Sequence, residues 1–221
     1  MTVTSPTTAS QKAEKKPRQM RSRSERRLQL IDATIRCIAQ HGLSATTMQL
    51  VTREAGLSLG IANLHFQSKE NLLAETLRHV TREYNDGLLA ILTPENSTSD
   101  GCLADTLERL LDFQLSHGVT QRQKMAVWFA YYGEASARPI YQKICSSSDR
   151  LSMQKVEELF AAIVNEGEYH DRDPQQLATG YLALIDGLWL SLLVAPRVLT
   201  KARGKDVARA YLQQAFPKHL N

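Results

Sequence analysis

TTMQLVTREAGLSLGIANLHFQSKENL, residues 46–72, decides the fold. It reads as a helix, a tight turn, a short second helix and the start of a third. Thr46 is placed to cap the first helix, and Gln49, three residues on, completes a capping box. Met48, Val51 and Ala55 fall on one face at helical spacing. Gly56-Leu57-Ser58 is the break: glycine accepts the left-handed conformation that ends a helix, and Ser58 caps the second helix. That second helix, about Leu59 to Phe66, is too short to be stable alone, so its neighbours must hold it while it presents an outer face. Ser68 caps the third helix, with Glu70 in its first turn.

This is a helix-turn-helix pattern, and its short second helix has the size that enters a DNA major groove. Two packed helices of an ordinary bundle share the spacing, so further features must choose between the readings. Lys69 sits at a helix N-terminus, where its charge opposes the helix dipole unless an anion lies near. Basic residues also flank the unit on its N-terminal side. Residues 1–27 hold eight Lys/Arg and two Glu, so this arm carries +6 and the remainder of the 221-residue chain −2, for a net +4. Basicity concentrated beside the motif points to phosphates rather than to general solubility.

Thr47, Ala55-Gly56, Ser58, Gly60, Phe66, Ser68-Lys69 and Leu72 together resemble the DNA-binding domain of the TetR family of transcriptional regulators, over about Glu25 to Leu73. Val51-Thr52 replaces the family's usual Ile-Ala, and Asn63 and His65 stand where aromatics are common in it. The resemblance implies DNA contacts from Thr47, Gln49, Ser58, Leu59, Gly60, Asn63, His65 and Lys69. Thr47, Ser58, His65 and Lys69 suit phosphates, and Asn63 suits the bidentate edge of adenine. Gln49 does likewise if its capping role leaves it free, Gly60 admits close approach of the backbone, and Leu59 suits a thymine methyl. Ile61, Ala62 and Leu64 are left open, with at least one facing the core.

The expected fold is all-α: an N-terminal three-helix DNA-binding domain at 23–72 and a larger helical ligand-binding and dimerisation domain at 73–221, preceded by a disordered basic arm at 1–22. The first helix spans about Ser24 to His41, with Leu28, Ile31, Ile35, Ile38 and Ala39 as its stripe and Gly42 at its end. Arg26 and Arg27 near its start suit phosphates. A long helix from Lys69 to about Leu92 links the domains and is broken at Thr93-Pro94-Glu95-Asn96-Ser97. Five helices come after it: Asp100 to about His117, Gln121 to Glu134, Ala137 to Asn165 (Ile140, Ile144, Leu151, Leu159 and Ile163 inward), Pro174 to Val194, and Gly204 to Phe216.

The helix from Pro174 is apolar nearly all round and needs partners on every side. It is broken by Asp186, whose charge would cost roughly 2.5–3.5 kcal/mol at the centre of a membrane span, so it reads as a buried helix. The resemblance implies that the last two helices pair with a second copy, giving a homodimer on a near-palindromic site. Ala126–Ala135 (AVWFAYYGEA) and Ala183–Trp189 (ALIDGLW) are similar to the BetI-like, choline-responsive branch of the family. This implies a repressor whose small-molecule inducer is of the choline or betaine aldehyde kind. Trp128, Tyr131, Tyr132, Glu134 and Trp189 are its candidate ligand residues, with Tyr181 nearby and Asp186 as a second candidate carboxylate. Aromatic faces plus a carboxylate suit a quaternary ammonium ion. Core and interface aromatics would give the same pattern.

Three scattered cysteines (Cys37, Cys102, Cys145) show neither metal spacing nor a disulfide framework, which fits a reduced cytoplasm. No phosphate loop or nucleophile motif occurs, and no cofactor is called for. The alternatives are a TetR-type regulator of efflux or other metabolic genes with an unrelated ligand, and a helical ligand-binding scaffold that leaves DNA alone.

Overall fold

A computed structural model describes residues 22–93 and 102–220. The basic arm up to residue 21, the break at Pro94–Ser97 and the helix opening at Asp100 lie outside the described residues. Among these residues there are nine helices and no strands. They are α1 (Arg23–His41), α2 (Met48–Ala55), α3 (Leu59–Phe66), α4 (Lys69–Leu92), α5 (Leu103–Gln114), α6 (Arg122–Ala135), α7 (Pro139–Glu166), α8 (Pro174–Val194) and α9 (Lys201–Ala215).

The caps set the motif. Ser22 and Glu25 form a capping box at the start of α1, and Gly42 ends it at φ 81°. The cap of α2 is Thr47 rather than Thr46: the Thr47 hydroxyl accepts from the Leu50 amide at 3.1 Å. The buried Thr46 hydroxyl instead donates to the Gly42 carbonyl at 2.8 Å, bracing the loop. No capping box involving Gln49 forms, so its side chain stays exposed. Gly56 takes the left-handed conformation (φ 64°), Ser58 caps α3 and Ser68 caps α4.

One core cluster joins α1, α2, α3 and the first part of α4 around Leu30, Ile31, Val51, Ala62, Phe66 and Leu77. Val127, Trp128 and Tyr131 of α6 and Tyr141 and Cys145 of α7 belong to the same cluster. The head is therefore backed by the larger domain rather than hinged freely from it. Tyr131 is fully buried, donates to the Leu73 carbonyl at 2.7 Å and meets Tyr141 edge-on at 4.9 Å.

The sandwiching of α1 between α2, α4 and α6 widens its buried face to Leu30, Ile31, Ala33, Thr34, Ile35, Cys37 and Ile38. Leu28, expected on the stripe, is 45% exposed. Ile140 on α7 is likewise exposed, while Tyr141 and Cys145 turn inward.

The second cluster gathers α5, α7, α8, α9 and the far part of α4 around Leu107, Leu110, Phe160, Ile163, Tyr181 and Leu212. Gly87 inside α4 has a packing reason: a Cβ there would overlap the Phe113 ring of α5. α8 turns Ala178, Tyr181, Ile185, Leu188, Trp189 and Leu192 inward. Its opposite face keeps Ala183, Asp186, Gly187, Leu190 and Val194 outward, and Val194 is 69% exposed. The helix is long and apolar enough to cross a membrane by length and composition. Within this chain it packs on α6, α7 and α9.

Candidate functional site

Of the expected motif residues, Thr47, Gln49, Ser58, Leu59, Gly60 and Asn63 are exposed, and His65 and Lys69 are half-buried. Ala62 and Phe66 bury one side of α3, leaving Ser58, Leu59, Gly60, Asn63 and Leu64 outward. This settles the three open positions: Ala62 is core, Ile61 is half-buried and Leu64 is 69% exposed. Thr47 and Gln49 are exposed at the start of α2. The Thr47 and Ser58 hydroxyls accept from backbone amides as caps, which leaves each hydroxyl proton free to donate.

Lys69 is half-buried, and its Nζ donates to the Ser44 carbonyl at 3.2 Å, so the ammonium is held at the head's surface. His65 is pushed below the usual imidazole range first by partial burial, then by Arg23, Arg26 and Arg27. That shift marks the start of α1 and the end of α3 as one basic neighbourhood. Arg27 is not free within it: it pairs with Glu75 and lies over the Phe66 ring at 5.4 Å.

The aromatic residues divide into two groups. Trp128 and Tyr132, four apart on α6, stack at 5.5 Å. Trp189 of α8 and Tyr84 of α4 join them, with Tyr84 edge-on to Trp189 at 5.5 Å and 6.1 Å from Trp128. These four rings, with Asp149, Ser152, Met153, Thr179 and Asp186, line a chamber between α6, α7 and α8 of about 770 Å³ including its open mouth. Gln114, fully buried, fixes part of the wall. Its Nε2 donates to the Tyr84 hydroxyl at 3.2 Å and its carbonyl accepts from the Trp189 indole at 2.8 Å. Its Oε1 accepts from Tyr181, which is thereby core rather than chamber wall.

Two residues expected at the ligand site lie elsewhere. Tyr131 points into the core beneath the head, as its bond to Leu73 requires. Glu134 pairs with Arg138 at 3.3 Å near the end of α6. The carboxylates that do face the chamber are Asp149 and Asp186. Tyr132 donates to Asp149 in a short hydrogen bond. Burial raises Asp149 above the ordinary carboxylate range while that bond pulls it down.

Asp186 has no hydrogen-bond or ion-pair partner among the described residues. It keeps contact with solvent at the mouth, yet apolar crowding first and the Asp149 charge second push its pKa up to about 6. An unpaired carboxylate beside aromatic faces is suited to a cation.

Tyr84 and Asp149 were missed as site residues. Tyr84 sits at one more periodic position of the long helix, and no motif in the sequence singles out Asp149. Only the contact of α4 and α7 with α6 gives them a role.

The family described as bacterial regulatory proteins, tetR family, matches residues 30–76. The family described as BetI-type transcriptional repressor, C-terminal, matches residues 103–217. The HTH-type transcriptional regulator BetI of Escherichia coli O17:K52:H18 is 29% identical over 198 residues, covering 88% of this chain and 95% of that protein. BetI of Klebsiella pneumoniae is 28% identical over 193 residues, covering 87% and 94%.

Among solved structures, a transcriptional regulator from Pseudomonas aeruginosa PAO1 shares the fold at TM-score 0.77, with 23% identity over 90% of this chain and 96% of that one. A transcriptional regulator from Saccharomonospora viridis, solved in complex with choline, superposes at TM-score 0.72 with 25% identity, covering 86% and 96%. The chain belongs to the TetR family of DNA-binding transcriptional regulators, with a C-terminal domain of the BetI type.

Proposed function

We propose that this regulator is a homodimeric repressor released from its operator by a choline-like cation. The observation that carries the ligand class is Asp186, an unpartnered carboxylate facing a chamber walled by Tyr84, Trp128, Tyr132 and Trp189. A quaternary ammonium ion cannot donate a conventional N–H hydrogen bond. It is held by ring faces and by a nearby negative charge, and both are present. The choline complex of the Saccharomonospora viridis regulator supports the same class.

The outward face of α8 is apolar around Gly187, Leu190 and Val194, and it fits a second copy better than water. Asp186 and Ala183 lie on that face and also line the chamber, so a ligand there borders the expected seam between subunits. Two heads would then read a near-palindromic site, with Asn63, Leu59 and Gln49 toward bases and Thr47, Ser58, His65 and Lys69 toward phosphates. Gly60 leaves room for close approach of the backbone.

Ligand binding would favour one head spacing through α6, which carries Trp128 and Tyr132 at the chamber and Val127 and Tyr131 in the head's core. A DNA-binding regulator of this kind works in the cytoplasm. The test is calorimetric titration of the purified protein with choline. One saturable site per chain, weakened at least tenfold by Asp186→Asn, supports the reading. Absence of binding, or binding indifferent to that substitution, rejects it.

A further inference from the structure

Tyr84, Trp128 and Trp189 have a cavity on each side. The second lies between α4, α5, the 116–119 turn and α6, has about 640 Å³ including its mouth, and is lined by Val80, Phe113, Val119, Met125 and Phe129 besides the three shared rings. Protein interiors leave few voids larger than a water molecule, because the lining atoms of a void lose their dispersion contacts. The space enclosed within it is about 140 Å³, too small for a drug-sized ligand but enough for one molecule of benzene size.

Its polar content differs in kind from that of the carboxylate chamber. Glu83 and Lys124 at its edge pair with each other, so their charges cancel. No charge is left over for a charged ligand, whereas Asp186 across the partition has none to cancel it.

We infer that this cavity is a second, separate ligand subsite, which takes an uncharged apolar molecule such as a single aromatic ring or a short aliphatic chain. The inference stands on the second cavity and goes beyond the cation reading of the first. Of the three shared rings, Tyr84 and Trp189 are pinned by Gln114, while Trp128 is held by packing and ring contacts, with no hydrogen bond among the described residues. Trp128 is therefore the panel through which each subsite feels the other. It is also the ring that α6 places in the head's core cluster.

Met125 lines the apolar cavity and Met153 the carboxylate chamber; Met125 also borders a shallow cleft beside His117 and Leu192, and Met153 a groove on α7, so cavity-filling variants identify the space that is occupied. The experiment is methyl NMR of the full-length protein labelled at methionine methyls, with the two signals assigned by Met125→Leu and Met153→Leu. The probes are 4-fluorotoluene and tetramethylammonium.

Saturable shifts of Met125 with 4-fluorotoluene, weakened at least tenfold by Val119→Phe or Phe129→Trp and unchanged by Asp186→Asn, support the inference. No saturable shift at Met125, or a response confined to Met153, overturns it. Val119→Phe and Phe129→Trp fill the cavity from different walls, the 116–119 turn and α6, and touch the second cleft at neither position, so either folded variant decides the case. If tetramethylammonium leaves Met153 unmoved while 4-fluorotoluene acts at Met125, the cation reading fails and the apolar subsite stands.

Discussion

Removing the Tyr131 hydroxyl should loosen the tie between the C-terminal domain and the DNA-binding head. The side chain is fully buried and its hydroxyl donates to the Leu73 carbonyl at 2.7 Å. Leu73 lies inside α4, so its carbonyl keeps its own helical partner when the hydroxyl is gone. Tyr131→Phe therefore strands no buried acceptor, and it retains the ring that meets Tyr141.

The cost is one net hydrogen bond, about 1 kcal/mol, equivalent to a fall in melting temperature of roughly 2–4 °C for a chain of this size. Tyr131→Ala, by contrast, would empty a ring-sized volume and cost about 3–5 kcal/mol. If the bond is made in only one head position, Tyr131→Phe shifts the inducer concentration for half-release by up to about fivefold. Thermal melts and operator titrations by fluorescence anisotropy read both effects. An unchanged melting temperature together with an unchanged inducer response would refute the assignment. A loss above about 3 kcal/mol from Tyr131→Phe, which keeps the ring, would show that the hydroxyl does more than donate this one bond.

Lys69→Ala should weaken operator binding on every sequence and lower the slope of log affinity against log salt by about 1, while Asn63→Ala should cost about 1–3 kcal/mol and relax preference at one base pair; binding to operator variants at several salt concentrations separates them. Leu190→Glu should convert the expected dimer to monomer and reduce operator affinity, read by sedimentation; an unaltered sedimentation profile would remove α8 from the interface. Asp186 is raised to about 6, so its ionisation costs the free fold stability as pH rises from about 4 through 6, whereas cation binding needs the ionised form. Choline affinity should therefore fall as pH drops through 6, approaching about tenfold per unit, and Asp186→Asn should stabilise the free protein at pH 7 while removing the choline-dependent rise in melting temperature.

The motif was legible because its determinants are local. Ser58 and Ser68 each accept from the amide three residues on, the Gly56 amide donates to the Arg53 carbonyl three residues back, and these local bonds frame α3, Leu59 to Phe66. The Thr46 cap failed for an equally local reason. Two adjacent threonines compete, and Thr47, extended at φ −117° and ψ 158°, took the Leu50 amide while the Thr46 hydroxyl went to the Gly42 carbonyl. The periodicity of α1 misplaced Leu28 because a stripe assumes one neighbour, whereas α1 has α2, α4 and α6 around it.

The aromatic chamber was half legible. Trp128 and Trp189 could be found from their aromatic, apolar helices. Tyr131 and Tyr132 are adjacent in sequence but about 100° apart on the helix, so only one can face the chamber. Choosing between them required knowing that α1 and α4 lie under α6. Tyr84 and Asp149 come from helices brought in by packing over long sequence separations, which periodicity does not encode.

The central claim is that a cation at Asp186 frees the operator. The direct measurement is anisotropy of labelled DNA from the region upstream of the protein's own gene, titrated with protein at two salt concentrations, with and without choline. Tight, salt-sensitive binding that choline relieves, and that Asp186→Asn makes insensitive to choline, is the predicted result. Tight binding that choline leaves unmoved, or that choline relieves equally in Asp186→Asn, would contradict it.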